Sequence, residues 1–400
     1  MPPLRILHVV PYYEHAWAYG GIPRVATTLT HGLARRGHDV TVCTTDACDA
    51  TSRVREPHTP SEGPGRLDVA VLRNLSNTLA FRWQLFAPLG LLRTLREALP
   101  RIDVGHLHAC RNLPVAAAAR LLAAARIPYV VSPHGTAPLI ERRRTAKRIF
   151  DATAGRGYLE RAARVVAVSD AERRQLVELG VPDARLTLVP NPIDEREFAP
   201  APDGDRFRAA HGFGDEPIVL HLSKLTPRKG ADTLLRAAPG IEPADARLII
   251  AGSDMDSGLD PAAFAADGRI LRLGTLSGRD RLDALAAASV VVYPSKDEVF
   301  GLVPLEALLA GTPVIVCSDS GAGEIIGTVG GGHIIPPGDH ASLAGAITSI
   351  LAANALWRQR ACIAAARVRQ RFGTEAVCER LDALYRDVLM HGHGRSRRTA

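Results

Sequence analysis

The sequence of 400 residues has few lysines and no long apolar run. Only four of its 49 lysine and arginine residues are lysines, namely Lys147, Lys224, Lys229 and Lys296. An arginine preference of this kind usually reflects genome composition, so the lysines that remain are candidates for functional roles. No segment approaches the roughly 18–20 apolar residues that a membrane-spanning helix requires. The mean hydropathy of +0.02 is typical of a soluble protein.

Signals of particular compartments and partners are also missing. The six cysteines have neither metal-ligand spacing nor a disulfide-like arrangement, so we expect a reducing cytoplasm. The apolar start, Leu4–Val10, is broken by Pro11 and is too short for a signal peptide, so it predicts a first strand. The sequence has no zinc-finger pattern and no interleaving of aromatic and basic residues, and we expect no nucleic-acid partner. The net charge of +7 fits anionic nucleotides.

Short apolar segments alternate with helical patterns along the chain. The predicted strands are residues 5–10, 39–44, 69–72, 104–108, 129–132, 165–168 and 186–189, followed by 218–222, 247–251, 270–273, 290–293, 314–317 and 333–335. Helical patterns such as 25–36, 171–179 and 279–288 lie between them. Such alternation predicts parallel sheets covered by helices on both faces. The strands are too many for one sheet of usual size, so we predict an α/β fold with two doubly wound domains.

The predicted domains are residues 1–195 and 196–400. The segment Pro190–Pro202 is rich in proline and charge and lacks a periodic pattern, which is typical of a linker. We expect terminal helices, at about 356–390, to pack back towards the first domain, and a disordered basic tail from His391. The basic run Arg142–Arg148 predicts a solvated helix face or, as a second interpretation, a peripheral contact with an anionic membrane.

The segment Asp297–Val316 is the most informative part of the chain. Seven residues separate Glu298 from Glu306 within it. Pro304 fits the first position of a helix, where a missing N–H costs nothing, and this places Glu306 in the first turn. Gly311 fits just past the helix end, before the next buried strand.

The N-terminus of that helix is a candidate anion site. The backbone N–H groups of Gly301, Leu302 and Val303 have no partner within the helix and lie at its positive end. A glutamate on each side would repel a bare phosphate. Glu298 and Glu306 instead indicate a ligand that combines phosphate with hydroxyl groups, as a nucleotide-sugar does.

Two lysines follow a predicted strand of the second domain. The sequence His221–Gly230 brings Lys224 and Lys229 to the carboxyl edge of the sheet, where ligands bind in open α/β folds. Cations there could neutralise a diphosphate as it departs. The alternative is a solvated basic loop.

Other motifs are less specific. The glycines of Tyr19–Arg24 allow close approach to a phosphate or sugar, or form only a tight turn. His134, after a strand, could reach a sugar hydroxyl or be structural, whereas His106 and His108 are interpreted as local hydrogen-bonding residues. The loop Ser320–Glu324 shapes a sugar pocket or is a turn.

A metal site is not favoured by the sequence. Asp254-Met-Asp256 resembles the Asp-x-Asp of metal-dependent transferases, but no third ligand lies nearby in sequence.

The order of these motifs resembles the retaining GT-B glycosyltransferases of family 4, the glycosyl transferases group 1 proteins. The resemblance runs through Tyr19–Gly21, His38–Val42, Pro133–Gly135, Val168–Asp170 and Val189–Asp194, and is most specific in Gly301–Ala307 and Ala310–Val314. It implies two Rossmann-like domains facing across a cleft. The first would bind the acceptor and the second the nucleotide-sugar.

The resemblance also implies roles for particular residues. Glu298 would contact donor-sugar hydroxyls and Glu306 the ribose, and His134 would reach the donor sugar. The diphosphate would be held by Lys224, Lys229 and the amides of Leu302 and Val303, with Gly21 near it, Leu276 by the base, and Phe300 and Gly301 completing the donor site. The catalytic group would then be Glu298, His134 and Lys229, and no metal would be essential.

Two positions depart from the family pattern. Ser223-Lys-Leu225 stands where Gly-Arg-Leu is usual, so lysine keeps the charge but loses the bidentate fork of arginine. Asn191-Pro-Ile-Asp194 stands where Asn-Gly-x-Asp is usual, and its proline stiffens a candidate hinge.

The expected activity is therefore retaining transfer of a hexose from a UDP- or GDP-linked donor to a glycan or lipid-linked acceptor. Such an enzyme would serve polysaccharide or glycolipid synthesis in the cytoplasm, or peripherally at the inner face of the cell membrane. The alternatives are a nucleotide-sugar epimerase of the same architecture and a non-catalytic sugar-nucleotide-binding protein. A dehydrogenase is disfavoured because no Gly-x-Gly-x-x-Gly follows the first strand.

Overall fold

The computed structural model describes residues 2–138, 144–153, 155, 157–255, 257–259 and 267–396. The chain divides into two compact units, Met1–Pro192 with Thr374–Ala400, and Ile193–Gly373. The junction lies inside the segment Pro190–Pro202 that the sequence predicts as a linker. Each unit contains one parallel sheet with helices, which confirms the predicted α/β class with two Rossmann-like domains.

The first unit is built on a sheet of seven parallel strands in the order β3-β2-β1-β4-β5-β6-β7. These strands are β1 (Arg5–Val9), β2 (Asp39–Thr45), β3 (Leu67–Leu72), β4 (Val104–His108), β5 (Tyr129–Ser132), β6 (Arg164–Ala167) and β7 (Leu186–Leu188). Its helices include α1 (Gly21–Arg35), α2 (Asn77–Trp83), α3 (Leu91–Ala98), α4 (Leu113–Ala124), α5 (Arg144–Ala152), α6 (Tyr158–Arg161) and α7 (Asp170–Glu178).

The second unit has six parallel strands in the order β10-β9-β8-β11-β12-β13. They are β8 (Ile218–Leu222), β9 (Arg247–Ala251), β10 (Ile270–Leu273), β11 (Val290–Tyr293), β12 (Val314–Cys317) and β13 (Gly332–Ile335). Its helices include α8 (Gly204–His211), α9 (Ala231–Ala237), α10 (Gly278–Ala287), α11 (Leu302–Leu309), α12 (Gly321–Val329), α13 (His340–Ala352) and α14 (Asn354–Phe372). Short 3-10 helices occur at Trp17–Tyr19, Leu99–Arg101, Asp183–Arg185, Glu195–Phe198, Pro227–Lys229 and Ala238–Gly240.

The predicted strands are all present, with ends shifted by one or two residues at most. Strands β4, β8 and β11 are buried at every residue because helices cover both faces of each sheet. The strand order reverses beside β1 in the first unit and beside β8 in the second. In open α/β sheets the carboxyl ends at such a reversal form a crevice for ligands. In the second unit, Lys224 and Lys229 follow β8 and Glu298 follows β11, the two strands at the reversal.

The start of α11 corrects one detail of the sequence prediction. The helix begins at Leu302, with Gly301 as N-cap, so Pro304 occupies its third position rather than its first. Glu306 is then the fifth helical residue and lies in the second turn. Proline is tolerated at the third position because that N–H would have no partner within the helix in any case. Gly311, at φ +76°, lies just past the helix end, as the sequence predicts.

The last helix, α15 (Thr374–Ser396), belongs to the first unit, whereas the sequence boundary places residues 196–400 in the second domain. It packs on α1, and Tyr385 donates to or accepts from the ring of His106 at 2.6 Å. The helix extends to Ser396, into the segment from His391 for which the sequence predicts a disordered tail. Residues 397–400 lie outside the described residues.

Within the part of the chain that the structure describes, no helix has both the length and the apolarity needed to cross a membrane.

The close packing of α1 on α15 depends on Gly32. A methyl group at this position would lie 2.5 Å from the Cys378 Sγ atom and 2.7 Å from the Thr374 Cγ2 atom. We expect Gly32→Ala to lower the free energy of unfolding of the first unit by about 1–3 kcal/mol through overpacking. Urea-dependent hydrogen exchange of peptides from α1 and α15 measures this loss.

The matched control is Gly345→Ala in α13, where an added methyl group meets nothing within 4 Å. Helix propensity should make that change neutral or stabilising by about 0.5–1 kcal/mol. Equal protection of α1 in Gly32→Ala and the unsubstituted protein would contradict the packing argument.

Candidate functional site

The centre of the candidate site in the second unit is the ion pair between Lys229 and Glu298. Lys229 follows β8 and Glu298 follows β11, so adjacent parallel strands bring the two loops together at the carboxyl edge of the sheet. The Lys229 ammonium donates to a Glu298 oxygen and, at 2.9 Å, to the Tyr293 hydroxyl. Tyr293 in turn donates to the same Glu298 oxygen at 3.0 Å.

Only one oxygen of Glu298 is used in this arrangement. Lys229, Tyr293 and Ser295 all donate to Oε2, and Oε1 accepts no hydrogen bond from any residue that the structure describes. Burial opposes ionisation of the carboxyl, but Lys229 and Arg228 outweigh it and lower the pKa of Glu298 to about 2. Glu298 is therefore a fixed carboxylate with one free acceptor oxygen.

The two lysines of the motif have different surroundings. Burial alone would lower the pKa of Lys229, yet the Glu298 carboxylate raises it above its ordinary value. Lys224 is half-buried, and no described carboxylate pairs with it. Burial and then repulsion from Lys229 lower the pKa of Lys224 to about 7. Lys224 is thus a cation that lacks an anionic partner.

The N-terminus of α11 lies in the same loop as Glu298. Gly301 adopts φ +83°, a conformation that favours glycine, and turns the chain into the helix. The N–H groups of Leu302 and Val303 find no acceptor among the residues described. The Glu298 carbonyl accepts from the N–H of Gly321 at 2.6 Å, which joins this loop to the start of α12. Free amides and a positive helix end make this a candidate anion site.

Glu306 forms an ion pair with Arg281, a residue that the sequence analysis did not identify. Arg281, in α10, pairs with Glu306 and, at 2.5 Å, with Glu197. Arg281 and Glu306 are both buried, and Arg281 contacts the Oε2 atom of Glu306. The predicted ribose contact of Glu306 would therefore have to use the other oxygen, Oε1.

In the first unit, four histidines lie towards the carboxyl ends of β1, β4 and β5, namely His8, His106, His108 and His134. Asn191 Oδ1 accepts from His134 Nδ1 at 3.1 Å, so His134 Nε2 accepts from His108 Nδ1 at 3.0 Å. His108 Nε2 lies 2.9 Å from His8 Nδ1 and accepts from it. Both nitrogens of the His134 ring are thus engaged within this unit. A ring contact from His134 to a donor sugar would require one of these bonds to break.

Burial keeps these four histidine side chains neutral. It lowers the pKa of His8 to about 3 and that of His134 to about 4. Burial and repulsion between the rings hold the pKa values of His106 and His108 well below the ordinary value. His106 bonds the hydroxyls of Tyr385 and Ser132, as the interpretation of a local hydrogen-bonding role predicts.

Among the residues that the structure describes, two groups of side chains have ligand atoms close enough for a metal ion. The first is His8, His106 and His108, with ligand atoms within 4.8 Å of one another, but the nitrogens bond each other and nearby hydroxyls. The second is Glu14, His15 and His58. There Glu14 accepts from His58 and from Thr59, which fastens the loop after β2 to the loop after β1.

The remaining predicted residues differ in how far they are exposed. Gly21 is the exposed first residue of α1, and Leu276 is half-buried between β10 and α10. Phe300 is fully buried, and its ring packs edge-on against Phe372 at 5.8 Å, so its side chain is not open to a ligand. Asp254 pairs with Arg272 at 2.9 Å, while Asp256 lies outside the described residues.

Sequence patterns did not single out Tyr293, Ser295 or Arg281. Tyr293 ends β11 and Ser295 follows it, so a search of strand ends for polar residues would have found both. Arg281 lies in the middle of α10, where nothing distinguishes it from a solvated arginine. Parts of the basic run Arg142–Arg148 lie outside the described residues.

The ion pair of Glu306 with Arg281 gives a stability prediction. Glu306→Gln leaves a buried arginine with one carboxylate fewer, and breaking such a pair costs about 3–5 kcal/mol. We expect Glu197→Gln to cost about 0–1 kcal/mol, because Glu197 is 41% exposed at its side chain. Hydrogen exchange of α10 and α11 peptides in urea compares the two variants. Equal losses would show that the Glu306 pair contributes no more than a surface pair.

Comparisons with known proteins identify the family of the chain. Residues 19–197 match the family model described as Glycosyltransferase Family 4, and residues 203–369 match Glycosyl transferases group 1. An uncharacterized glycosyltransferase of Methanocaldococcus jannaschii is 30% identical over 360 residues, which are 84% of this chain and 87% of the relative. The D-inositol 3-phosphate glycosyltransferase of Kineococcus radiotolerans is 34% identical over 254 residues, which are 57% of this chain and 58% of that relative.

Solved structures share the fold. The Anabaena protein Alr3699/HepE in complex with UDP and glucose is similar with a TM-score of 0.72 and 20% identity, over 95% of this chain and 99% of that one. The same protein was solved in complex with UDP-glucose. The two Rossmann-like units, the order of the motifs and these relatives together lead to one conclusion: the chain belongs to the GT-B glycosyltransferases of family 4, the glycosyl transferases group 1.

Proposed function

We propose that this glycosyltransferase transfers a hexose, with retention of configuration, from a UDP- or GDP-linked donor to a glycan or lipid-linked acceptor. The observation that carries the proposal is the half-buried Lys224, which has no carboxylate partner among the described residues and lies near the Lys229–Glu298 pair. A cation without a partner, at the crevice of an α/β sheet, fits the diphosphate of a nucleotide-sugar. The complex of Alr3699/HepE with UDP and glucose supports this choice of donor class.

Three groups of the second unit would stabilise the departing diphosphate. Protonated Lys224 supplies a positive charge, and the N–H groups of Leu302 and Val303 supply hydrogen bonds at the N-terminus of α11. These groups are already in place before charge develops, which is the condition for electrostatic stabilisation of a transition state. Lys229 contributes less free charge than the sequence implies, because Glu298 neutralises it.

The carboxylate of Glu298 would orient the donor sugar. Its Oε1 atom can accept from a sugar hydroxyl while Oε2 remains bound to Lys229, Tyr293 and Ser295. With a pKa of about 2, Glu298 is a weak base. In the proposed reaction the leaving phosphate oxygen therefore takes the acceptor proton, and no carboxylate nucleophile is assigned.

We also propose that transfer requires no divalent metal. Lys224, Lys229 and the α11 N-terminus supply the positive charge that a metal would otherwise provide. Asp254, half of the Asp-x-Asp sequence, is paired with Arg272. The proposed location is the cytoplasm, where the six unpaired cysteines would stay reduced.

A panel of UDP- and GDP-sugars, with and without glycan and lipid-linked acceptors, tests the function. We expect release of the nucleoside diphosphate only when an acceptor is present, and an anomeric product configuration equal to that of the donor by NMR. Excess EDTA should leave most of the activity. Isomerised donor without acceptor would indicate an epimerase. Binding without turnover would indicate a sensor, and loss in EDTA restored by Mg²⁺ would refute the metal-free mechanism.

Lys224 predicts a pH dependence of nucleotide binding. With a pKa of about 7, Lys224 is mostly neutral in the free protein above this pH. Binding of a diphosphate then requires that Lys224 take up a proton, which lowers the apparent affinity. We expect the affinity for the cognate nucleoside diphosphate to fall up to about tenfold per pH unit above 7, with uptake of one proton. Lys224→Arg should keep its charge and remove this dependence.

Calorimetry of UDP and GDP binding between pH 6 and 9, in two buffers of different ionisation enthalpy, measures both the affinity and the proton uptake. The same pH dependence in Lys224→Arg would assign the titration to another group. If Lys229→Arg lowers the affinity and Lys224→Arg does not, the diphosphate contact is made by Lys229 rather than Lys224.

A further inference from the structure

A concentrated apolar surface lies on the first unit, between β3 and α3. It consists of Leu75, Leu79, Trp83, Leu85, Leu89 and Leu92, and it is called here the leucine–tryptophan surface. Each of these side chains is 48–63% exposed, and no other stretch of similar length among the described residues exposes as many large apolar side chains. Isolated exposed leucines are ordinary, but a contiguous set of them marks an interaction surface.

The segment that carries this surface is firmly anchored. Phe86 and Ala80 are completely buried beneath it. The Asn74 side chain accepts from the N–H of Ala87 at 2.9 Å and donates to Asn77, which itself donates to the carbonyl of Ser52 at 2.7 Å. The apolar side chains are therefore exposed because an ordered backbone presents them.

Local geometry explains why two pairs of these side chains are exposed together. Asn74 and Pro88 form an antiparallel bridge, and Leu75 and Leu89 are the residues that follow them. Since side chains alternate across paired strands, Leu75 and Leu89 lie on the face opposite the buried Asn74. Leu79 and Trp83 are four residues apart in α2 and share its exposed side.

Arginine predominates among the charged residues of the segment that carries the surface. Residues 69–96 contain no aspartate or glutamate and four arginines, Arg73, Arg82, Arg93 and Arg96. All four are exposed, and Arg93 is paired with Glu97 at its outer edge. Leucines and a tryptophan flanked by arginines match the two layers of a membrane surface, acyl chains beneath anionic headgroups.

We propose that the leucine–tryptophan surface docks the first unit on an anionic lipid bilayer. A second copy of the chain is a poorer occupant, because a two-fold contact would bring the same arginines against each other. The surface differs from the basic run Arg142–Arg148. Lipid binding needs neither donor nor acceptor, so the proposal stands apart from the transfer reaction.

Vesicle co-sedimentation tests the proposal with the whole protein. Vesicles of phosphatidylcholine alone are compared with equimolar phosphatidylcholine and phosphatidylglycerol. We expect binding to the anionic vesicles only, weakened by added salt. The double variant Leu79→Ser/Trp83→Ser should bind the anionic vesicles at least about tenfold more weakly, because it removes apolar area that enters the bilayer. Arg73→Gln/Arg96→Gln should also weaken binding, and more so at low salt.

The matched control is Leu356→Ser/Ile363→Ser in α14, which removes two side chains of similar exposure from the second unit. It should bind as the unsubstituted protein does, and thermal melting should show that every variant is folded. Absence of binding to anionic vesicles, or equal loss in the α14 control, would refute the proposal. A change of sedimentation coefficient in Leu79→Ser/Trp83→Ser without lipid would instead assign the surface to self-association.

Discussion

The ion pair of Lys229 with Glu298 joins the loops that follow β8 and β11. The two side chains are only 17% and 13% exposed, so removing either would leave a poorly solvated charge. The pair, with Tyr293 and Ser295, fixes one oxygen of the carboxylate and leaves the other free. It also neutralises Lys229, whereas Lys224 has no carboxylate partner among the described residues. One contact thus sets the shape of the loops and decides which charges a ligand encounters.

The two sheets present different chemistry at equivalent places. Where the strand order reverses in the first unit, the side chains are buried histidines that burial keeps neutral. At the same place in the second unit, lysines and a helix N-terminus supply positive charge. A doubly wound sheet provides the crevice in both cases, and the residues at the strand ends decide what it can bind. Among the described residues, the lysines make the second unit the better candidate for binding a diphosphate.

Much of the fold could be predicted, because the signals that specify it are local. Apolar runs separated by helical patterns located the strands of both sheets, including β8 and β11 at their exact ends. The start of α11 could not be fixed in the same way. Pro304 suits both the first and the third helical position, because neither needs an N–H partner within the helix, so local chemistry permits both. The packing of Phe300 and the turn at Gly301 select the earlier start.

The sequence by itself determined the α/β class, the family motifs, and the presence of two lysines and two glutamates beside an anion site. Only the tertiary structure decided how these charges are paired. Glu298 meets Lys229 across 69 residues of sequence, and Glu306 meets Arg281 across 25. It likewise decided that both ring nitrogens of His134 are engaged. Periodicity specifies which face of an element is buried, but which distant side chains come within hydrogen-bonding distance depends on how the elements pack.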